Sequence, residues 1–281
     1  MPSTTTDLPE YEVYAIRYAE REARRSDHFL LGDPHDAPMD MDYFVWAVIG
    51  KERSFVVDLG FSEATARRRN RKWLRCPIES LRLLGLDPAS VKDAVVTHLH
   101  YDHAGNFKLL PNAQFHIQEP EIHFAAGRHM RNAYFKIPYD VDDIVDVVRL
   151  NFADRVFFHN GRHDLAPGIS IEPLPGHTCG QAGVRVHTRR GWIVLTSDAS
   201  HYYENVRNRR PFALVLSPEQ MVDSFERIVA MAGGMDRVIP GHDPLVMKIY
   251  PAPRPELEGI AVRLDADPDM VAFEAHFAAI G

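Results

Sequence analysis

Residues 97–106 read THLHYDHAGN and follow directly on a short aliphatic run. The stretch places four potential metal ligands within six positions: His98, His100, Asp102 and His103. A strand sends residues two apart to the same face, so we expect His98 and His100 to point together. The turn that follows can direct Asp102 and His103 to a second point nearby. This spacing favours two adjacent divalent cations over one. Imidazole with carboxylate favours Zn²⁺, and Mn²⁺, Fe²⁺ or Co²⁺ suit the same ligands.

Four ligands do not fill two metal sites, so other loops must supply the rest. Three candidates follow predicted strands: His177 in LPGHTCG, Asp198 in VLTSDAS and His242 in VIPGHD. Each lies beside small or turn-forming residues, where a backbone can approach a bound ion closely. We therefore predict that these three side chains join the first four in one dinuclear metal centre.

The chain as a whole has the composition of one soluble globular unit. It has 281 residues, of which 45% are hydrophobic and 25% charged. A chain of this length buries enough apolar surface to fold without disulfides or structural metal. We expect a single domain over residues 1–281, with residues 1–10 forming a loose terminus.

The net charge indicates which partners to expect, and the number of cysteines indicates the cellular compartment. A formal net charge of −7 gives no support for a nucleic-acid or anionic-membrane partner. The two cysteines, Cys76 and Cys179, suit a reducing compartment. The sequence contains neither an export signal nor an apolar run long enough to span a membrane, so we expect a cytoplasmic protein.

Hydrophobic patterns predict strands with interspersed helices. The predicted strands cover residues 11–18, 43–49, 54–58, 93–97, 113–118, 169–174, 182–187, 192–196 and 238–240. Helices are predicted over 62–85, most of 119–150, and 217–232, where Ser217 caps the helix and Gly233 ends it. Residues 26–41 form a long loop, and His116 is expected to be structural. This mixture indicates an α/β sandwich.

The order of the ligand motifs resembles that of the metallo-β-lactamase superfamily, and within it the N-acyl homoserine lactonase family. The likeness covers roughly residues 40–250 and rests on VVDLG, THLHYDHAGN, LPGHTCGQ, TSDASHYYEN and IPGHD. It implies a metallo-β-lactamase-type αβ/βα sandwich of two mixed β-sheets flanked by helices, with the metal site at one edge of the sheets.

The resemblance also implies a role for each ligand. His98, His100 and His177 would hold one metal, Asp102, His103 and His242 the other, and Asp198 would bridge the two. Paired cations acidify a water and polarise a carbonyl, so no serine or cysteine nucleophile is needed. We accordingly predict that Cys179 is a small buried residue.

The implied activity is that of a metal-dependent hydrolase acting on a carboxylic ester bond. The expected reaction opens a lactone ring, either of an N-acyl homoserine lactone, as in quorum quenching, or of a related lactone. Thioester or aromatic lactone hydrolysis and an iron-dependent oxidoreductase are the alternatives. The small-molecule lactone is the expected partner, and dimers of relatives suggest, by analogy alone, a homodimer.

One position departs from the family pattern. Lactonases of the family have a tyrosine three residues after the bridging aspartate, and this chain has His201 there, followed by Tyr202 and Tyr203. Either His201 or one of these tyrosines is expected to assist catalysis beside Asp102 and Asp198. Four aromatic residues are candidates for an apolar pocket wall, with core packing as the alternative: Phe107, Tyr134, Phe135 and Tyr139.

Overall fold

The computed structural model describes residues 8–280, so most of the expected loose terminus lies outside the described residues. Within that range, eight strands form a first sheet in the order β13-β1-β2-β3-β5-β6-β7, with β4 also pairing β1. These strands are β1 (Glu12–Arg21), β2 (Met41–Ile49), β3 (Ser54–Val57), β4 (Lys72–Trp73), β5 (Asp93–Val95), β6 (Gln114–Gln118), β7 (Val156–His159) and β13 (Ala261–Arg263). Strands β3, β5, β6 and β7 run parallel, and β13, β1, β2 and β3 pair antiparallel, so the sheet is mixed.

A second sheet has the order β12-β11-β10-β9-β8 across the described chain. Its strands are β8 (His163–Ala166), β9 (Ile169–Pro173), β10 (Ala182–Thr188), β11 (Gly191–Ser197) and β12 (Val238–Pro240). Strands β11 and β12 are parallel and the other pairs are antiparallel, so this sheet is mixed as well.

Helices connect the strands and cover the outer faces of both sheets. The α-helices are α1 (Arg25–His28), α2 (Glu63–Arg68), α3 (Glu119–Ala125), α4 (Ala133–Lys136), α5 (Val141–Phe152), α6 (Tyr203–Arg207), α7 (Pro218–Ala232), α8 (Leu245–Ile249) and α9 (Met270–Ile280). Short 3-10 helices cover Glu79–Leu84, Pro88–Ser90, Phe107–Leu109, Arg128–Arg131, Met235–Arg237 and Pro255–Leu257. Among residues 8–280, no helix has both the length and the apolar character that crossing a bilayer requires.

The core has layers because strand residues alternate between the two faces of a sheet. Val13 and Ala15 of β1 point inward and pack with Ile171 and Val184 of the second sheet. Tyr14 and its neighbours on the other face pack under the helices that cover the first sheet. Helix α7 covers the second sheet through a separate apolar cluster. The molecule is therefore the helix–sheet–sheet–helix sandwich that the sequence predicts.

All nine predicted strands are present, with ends shifted by a few residues at most. Helix α7 begins and ends as predicted: Ser217 Oγ accepts a hydrogen bond from Gln220 N at 3.3 Å, and Gly233 has φ +75°. The helix predicted over 62–85 is wrong beyond Arg68. Asn70 has φ +52°, which an α-helix excludes, and the chain then forms β4 and a 3-10 helix. The sequence patterns missed β4, β7, β8, β13 and α9.

Strand direction brings the ligand loops together. The carboxyl ends of β9, β11 and β12 lie at one edge of the second sheet, since these strands run the same way. The loop after β5 reaches the same edge, where the backbone N–H of Ala182 donates to the carbonyl of Thr97 at 3.0 Å. The fold thus collects the loops that carry His98, His177 and Asp198.

Candidate metal centre

Seven ligand-type side chains converge at this edge, and all are buried, with exposed fractions of 0–8%. The set is the predicted one: His98, His100, Asp102, His103, His177, Asp198 and His242. Their ligand atoms form three overlapping groups, each with all atoms within 4.8 Å: His98 with His100 and His177, His98 with His103 and Asp198, and Asp102 with His103 and His242. The sequence-predicted ligands therefore form one cluster.

The carboxylate of Asp198 lies between two halves of this cluster. Its Oδ1 is 3.0 Å from His242 Nε2 and 3.2 Å from His103 Nε2. Its Oδ2 is 3.4 Å from His177 Nε2 and 3.8 Å from His98 Nε2. One oxygen thus faces each half, which is the arrangement that a bridging ligand requires.

Unpartnered buried atoms test whether this cluster fits a metal. The Nε2 atoms of His98, His103 and His242 and the Oδ1 atom of Asp198 make no hydrogen bond of acceptable geometry among residues 8–280, although Asp198 Oδ1 lies within 3.2 Å of two of these nitrogens. A buried polar atom without a partner costs about 1–3 kcal/mol, and four together would be expensive. Imidazole nitrogens and carboxylate oxygens are ligands of zinc-like divalent cations, so the residues fit such ions.

The opposite nitrogens of three rings are held by hydrogen bonds. His103 Nδ1 lies 2.7 Å from Asp58 Oδ2, His177 Nδ1 lies 2.7 Å from the Leu214 carbonyl, and His242 Nδ1 lies 2.8 Å from the Asp42 carbonyl. Such bonds fix the ring and turn its Nε2 towards a metal. Sequence reasoning assigned no role to Asp58, although its place at the end of β3, in VVDLG, was a usable signal.

Asp58 also joins the loops behind the site. Its carboxylate accepts from Thr97 N at 2.8 Å, from Thr97 Oγ1 at 2.9 Å and from Ser197 Oγ at 3.0 Å. Asp58 has φ +61°, a conformation in which few non-glycine residues are found. The contacts connect the ends of β3, β5 and β11 directly behind His103.

Glu121 of α3 is a second residue that the sequence did not reveal. Its buried carboxylate accepts from Leu99 N at 3.0 Å, from Gly180 N at 2.7 Å and from Thr178 Oγ1 at 2.5 Å. Burial raises the pKa of Glu121, while these three donors act in the opposite direction. Glu121 therefore ties the loop of His98 and His100 to the loop of His177.

Gly241, the residue before His242, lies so close to the loop of Asp198 that only glycine fits there. A Cβ atom at Gly241 would lie 2.8 Å from both Asp198 Oδ1 and the Ser197 carbonyl oxygen. Real side chains do not approach so closely, so any larger residue would displace the Asp198 carboxylate. Glycine at this position lets two ligand loops touch.

Burial dominates the acid–base behaviour of most of the histidines. It holds the pKa of His98 and His100 well below the usual range, with neighbouring imidazoles adding to the effect, and lowers the pKa of His177 to about 4. For His103, burial also acts to lower the pKa, but the negative charges of Asp198 and Asp58 have the larger effect and raise the pKa. Neutral imidazoles have the free lone pair that a metal requires.

His201 joins the cluster, whereas the two tyrosines after it have other contacts. His201 Nε2 lies 3.0 Å from Asp198 Oδ2, and its ring stacks on Phe212 with centroids 3.5 Å apart. The Tyr202 hydroxyl donates to the Asp40 carbonyl at 3.0 Å, and the Tyr203 ring packs against the core. Of the three predicted alternatives, only His201 lies against one of the predicted ligands, Asp198.

An apolar cavity opens beside His100 and His177. It is a narrow cleft, partly open to solvent, with an internal volume of about 20 Å³, which is room for about one water molecule. Its lining includes Tyr134, Phe135 and Tyr139, three of the four predicted pocket residues. Phe107 lies in the core instead, because its ring packs on Phe115 with centroids 4.9 Å apart.

Cys179 lies close to the cluster, but its side chain is held as the protonated thiol rather than the nucleophilic thiolate. Burial raises the pKa of Cys179 to about 11, and the nearby Glu121 carboxylate adds to the shift. A neutral thiol is a poor nucleophile, so the residue fits the predicted packing role. Its side chain is half-buried rather than fully buried.

Comparison with known proteins gives a consistent family match. The family model of the metallo-beta-lactamase superfamily matches residues 41–248. An N-acyl homoserine lactonase of a Bacillus species is 28% identical over 137 residues, which cover 48% of this chain and 49% of that protein. The N-acyl homoserine lactonase AttM of Azorhizobium caulinodans is 27% identical over 183 residues, covering 59% and 64%. The matched region thus spans about half to two thirds of these relatives.

Solved structures share the fold over most of their length. A quorum-quenching N-acyl homoserine lactone lactonase superposes with a TM-score of 0.71 and 22% identity, covering 85% of this chain and 95% of its own. An N-acyl homoserine lactone hydrolase with N-hexanoyl-L-homoserine at its catalytic metal centre gives a TM-score of 0.70 and 20% identity, covering 86% and 96%. The dizinc quorum-quenching lactonase AidC superposes with a TM-score of 0.64 and 16% identity, covering 85% of this chain and 89% of its own.

Proposed function

The chain belongs to the metallo-β-lactamase superfamily, and from this premise we propose that it is a metal-dependent hydrolase that opens lactone rings with two divalent cations. N-acyl homoserine lactones are the proposed substrates, with other lactones as the nearest alternatives. The names of the relatives support this choice, since the similar curated proteins and several similar structures are lactonases of this class.

The position of Asp198 is the observation that carries the proposal. Its two oxygens face opposite halves of a buried cluster that has unpartnered ligand atoms. His98, His100 and His177 would hold one cation, Asp102, His103 and His242 the other, and Asp198 would contact both. A pair of such cations, when bound, supplies an acidified water and an electrophile for the lactone carbonyl.

His201 is proposed to take the place of the family tyrosine. Stacking on Phe212 fixes the plane of its ring, and Asp198 Oδ2 fixes the position of its Nε2. With Asp198 engaged by the two cations, the single Nε2–H group of His201 would be free to donate instead to the carbonyl or leaving oxygen of a bound lactone. Tyr202 and Tyr203 are not retained as catalytic residues, because their side chains are held by other contacts.

The apolar cavity is proposed to receive the acyl side of the substrate. Tyr134 holds one wall in place, since its hydroxyl donates to the Val215 carbonyl at 2.9 Å and lies 3.2 Å from the Ala213 carbonyl oxygen. Phe135 and Tyr139 supply the apolar surface beside His100. A narrow aromatic cleft of this kind favours apolar groups and leaves the polar ring to the metal centre.

Zinc as the native metal and a cytoplasmic location are part of the proposal. The His- and Asp-rich ligand set supports zinc, although the same set accepts manganese, iron and cobalt. Both cysteines are unpaired thiols, which supports a reducing compartment. A homodimer is also proposed, by analogy with dimeric relatives.

The experiment is a metal analysis followed by an assay of acid release. Elemental analysis of the purified full chain should find about two zinc-like ions per chain. A pH-indicator assay should then detect hydrolysis of acyl homoserine lactones of different acyl lengths, compared with γ-lactones, aromatic lactones and a glutathione thioester. Iron with oxygen-dependent turnover would replace the proposal with an oxidoreductase, and preference for the thioester would replace the substrate class.

A further inference from the structure

Helix α5 has two apolar faces, and only one of them is covered. Ile144 and Val147 are buried and belong to the core cluster of the first sheet. On another face, four large apolar residues are exposed, with exposed fractions of 37–88%: Val141, Val145, Val148 and Phe152. Their spacing of four, three and four residues places them in one line along the helix. We call this line the α5 stripe.

The α5 stripe is unusual within this molecule. Twelve large hydrophobic side chains are exposed among the described residues, and half of them fall within residues 134–152. Single exposed apolar side chains are ordinary, but a concentrated patch marks a surface that another body covers. Core packing cannot account for these side chains, because the core-facing side of α5 is already occupied by other residues.

We propose that the α5 stripe is the contact surface of the homodimer put forward above, on which this inference rests, with α5 packed antiparallel against α5 of a second copy. A two-fold axis would pass near residues 146–147, the centre of the stripe. Val141 would then face the partner's Phe152, and Val145 would face the partner's Val148. Such a surface is complementary to itself, as a two-fold interface requires.

Charges beside the stripe support this particular occupant. Asp142 and Arg149 lie on the same flank of the stripe, one at each end, as their positions along the helix dictate. The two-fold axis keeps this flank on the same side in both copies but reverses the direction of the helix. The Asp142 end of one helix therefore lies beside the Arg149 end of the other, so each Asp142 meets the partner's Arg149. The Arg149 side chain is 72% exposed, and within residues 8–280 its one ion pair is a surface contact with Asp146 at 3.2 Å. Opposite charges therefore meet at both ends of the proposed contact.

The test is sedimentation velocity of the full chain across a range of concentrations. The unmodified chain should be dimeric at micromolar concentration, and Val148→Glu should weaken the dimer at least tenfold. Val271→Glu, at a residue that is 81% exposed on α9, is the matched control and should leave the dimer unchanged. Circular dichroism and lactone turnover of each variant would verify folding.

Charge reversal gives a second arm that does not depend on apolar packing. Asp142→Lys alone should weaken association, because the new cation would face the partner's Arg149. Adding Arg149→Asp to that variant should restore it. A monomeric unmodified chain, a dimer that Val148→Glu leaves intact, or a failure of the double reversal to recover association would each overturn the proposed interface. None of these outcomes bears on the metal chemistry.

Discussion

Strand β5 separates two buried groups of histidine and aspartate that behave differently. Its carboxyl end leads to the metal centre. Its amino end begins with Asp93, which belongs to a second group that we call the Asp93 cluster: Asp93, His116, His159 and Arg53. Asp93, His116 and His159 are buried to the same degree as the metal-centre ligands. The two groups therefore share residue types, burial and a strand.

The difference lies in how their polar atoms are partnered. In the Asp93 cluster, Asp93 Oδ1 lies 3.1 Å from His116 Nε2, and Asp93 Oδ2 accepts from Arg53 at 2.7 and 2.9 Å. His116 Nδ1 lies 3.0 Å from His159 Nε2, so both nitrogens of His116 are engaged. In the metal centre, four convergent atoms within the described chain make no hydrogen bond of acceptable geometry, even where Asp198 Oδ1 lies 3.0 Å from His242 Nε2. Convergent unpartnered atoms, rather than histidine and aspartate as such, distinguish a metal site from a structural hydrogen-bonded chain.

The largest expected effect comes from the bridging position. Asp198→Asn should remove at least one metal per chain and lower lactone turnover at least about 100-fold, because a neutral amide is a poor ligand between two cations. Elemental analysis and the acid-release assay measure both quantities. His116→Gln is the matched control, since it changes a buried polar residue of the Asp93 cluster. Full metal content and turnover in Asp198→Asn would remove the bridging role.

The next largest effect is expected from metal removal, which should change the stability that the metal centre provides and leave that of the Asp93 cluster unchanged. A ligand present at about 100 times its Kd stabilises the folded state by about 2.7 kcal/mol, and each 1 kcal/mol changes Tm by about 2–4 °C in chains somewhat smaller than this one. Chelation should therefore lower the Tm by several degrees, and adding Zn²⁺ should restore it. The His116→Gln variant should show the same shift, and Asp198→Asn should show a smaller one. A Tm that is indifferent to chelator in the unmodified protein would contradict the metal centre.

The convergence of the seven predicted ligands could be foreseen because each follows a strand within a short, distinctive motif. The carboxyl ends of parallel strands lie at the same edge of a sheet. The loops that follow these strands can therefore be expected to meet there even when the detailed packing is unknown; they contain HLHYDH, PGH, SDA and PGHD. The sandwich was predictable for a related reason, since β1, β2 and β11 are apolar on both faces. These are local patterns with one simple spatial consequence.

The residues that escaped prediction act across long sequence separations. Glu121 is 57 residues from Thr178, and nothing in the sequence around α3 shows that its carboxylate reaches that loop. The Asp93 cluster was equally hidden, because β7 and β8 carry histidines in short strands of mixed polarity. The sequence could not narrow the choice among His201, Tyr202 and Tyr203, since it depends on which way each side chain turns.

A smaller effect is expected at Asp93 itself, and on stability rather than metal binding. Burial acts to raise the pKa of Asp93, but the hydrogen bond with His116 and the charge of Arg53 outweigh it and lower the pKa. Asp93→Asn keeps an acceptor for His116 and loses the charge, so the free energy of unfolding should fall by about 1–2 kcal/mol. Urea unfolding at pH 7 measures this. Loss of metal from Asp93→Asn would show that the two ends of β5 are coupled after all.

The smallest effect concerns pH at the other end of the Asp93 cluster. Burial lowers the pKa of His159 to about 4, and the adjacent His163 and His116 rings add to the shift. A histidine in the unfolded chain titrates near 6.5, so the unfolded state binds the proton more readily. The contribution of His159 to stability is therefore fully present above about pH 6.5 and is lost as pH falls towards 4.

His159→Gln isolates that contribution, because glutamine can still donate to His116 Nδ1 but does not titrate. Urea unfolding of chelated protein between pH 7 and 5 should show a loss of stability in both forms, since the metal-centre histidines also titrate there. The unmodified protein should lose about 1 kcal/mol more than the variant, allowing for solvent near the ring. Parallel curves for the two proteins would mean that His159 titrates normally. The Asp93 cluster would then be open to water, and its contrast with the metal centre would rest on geometry alone.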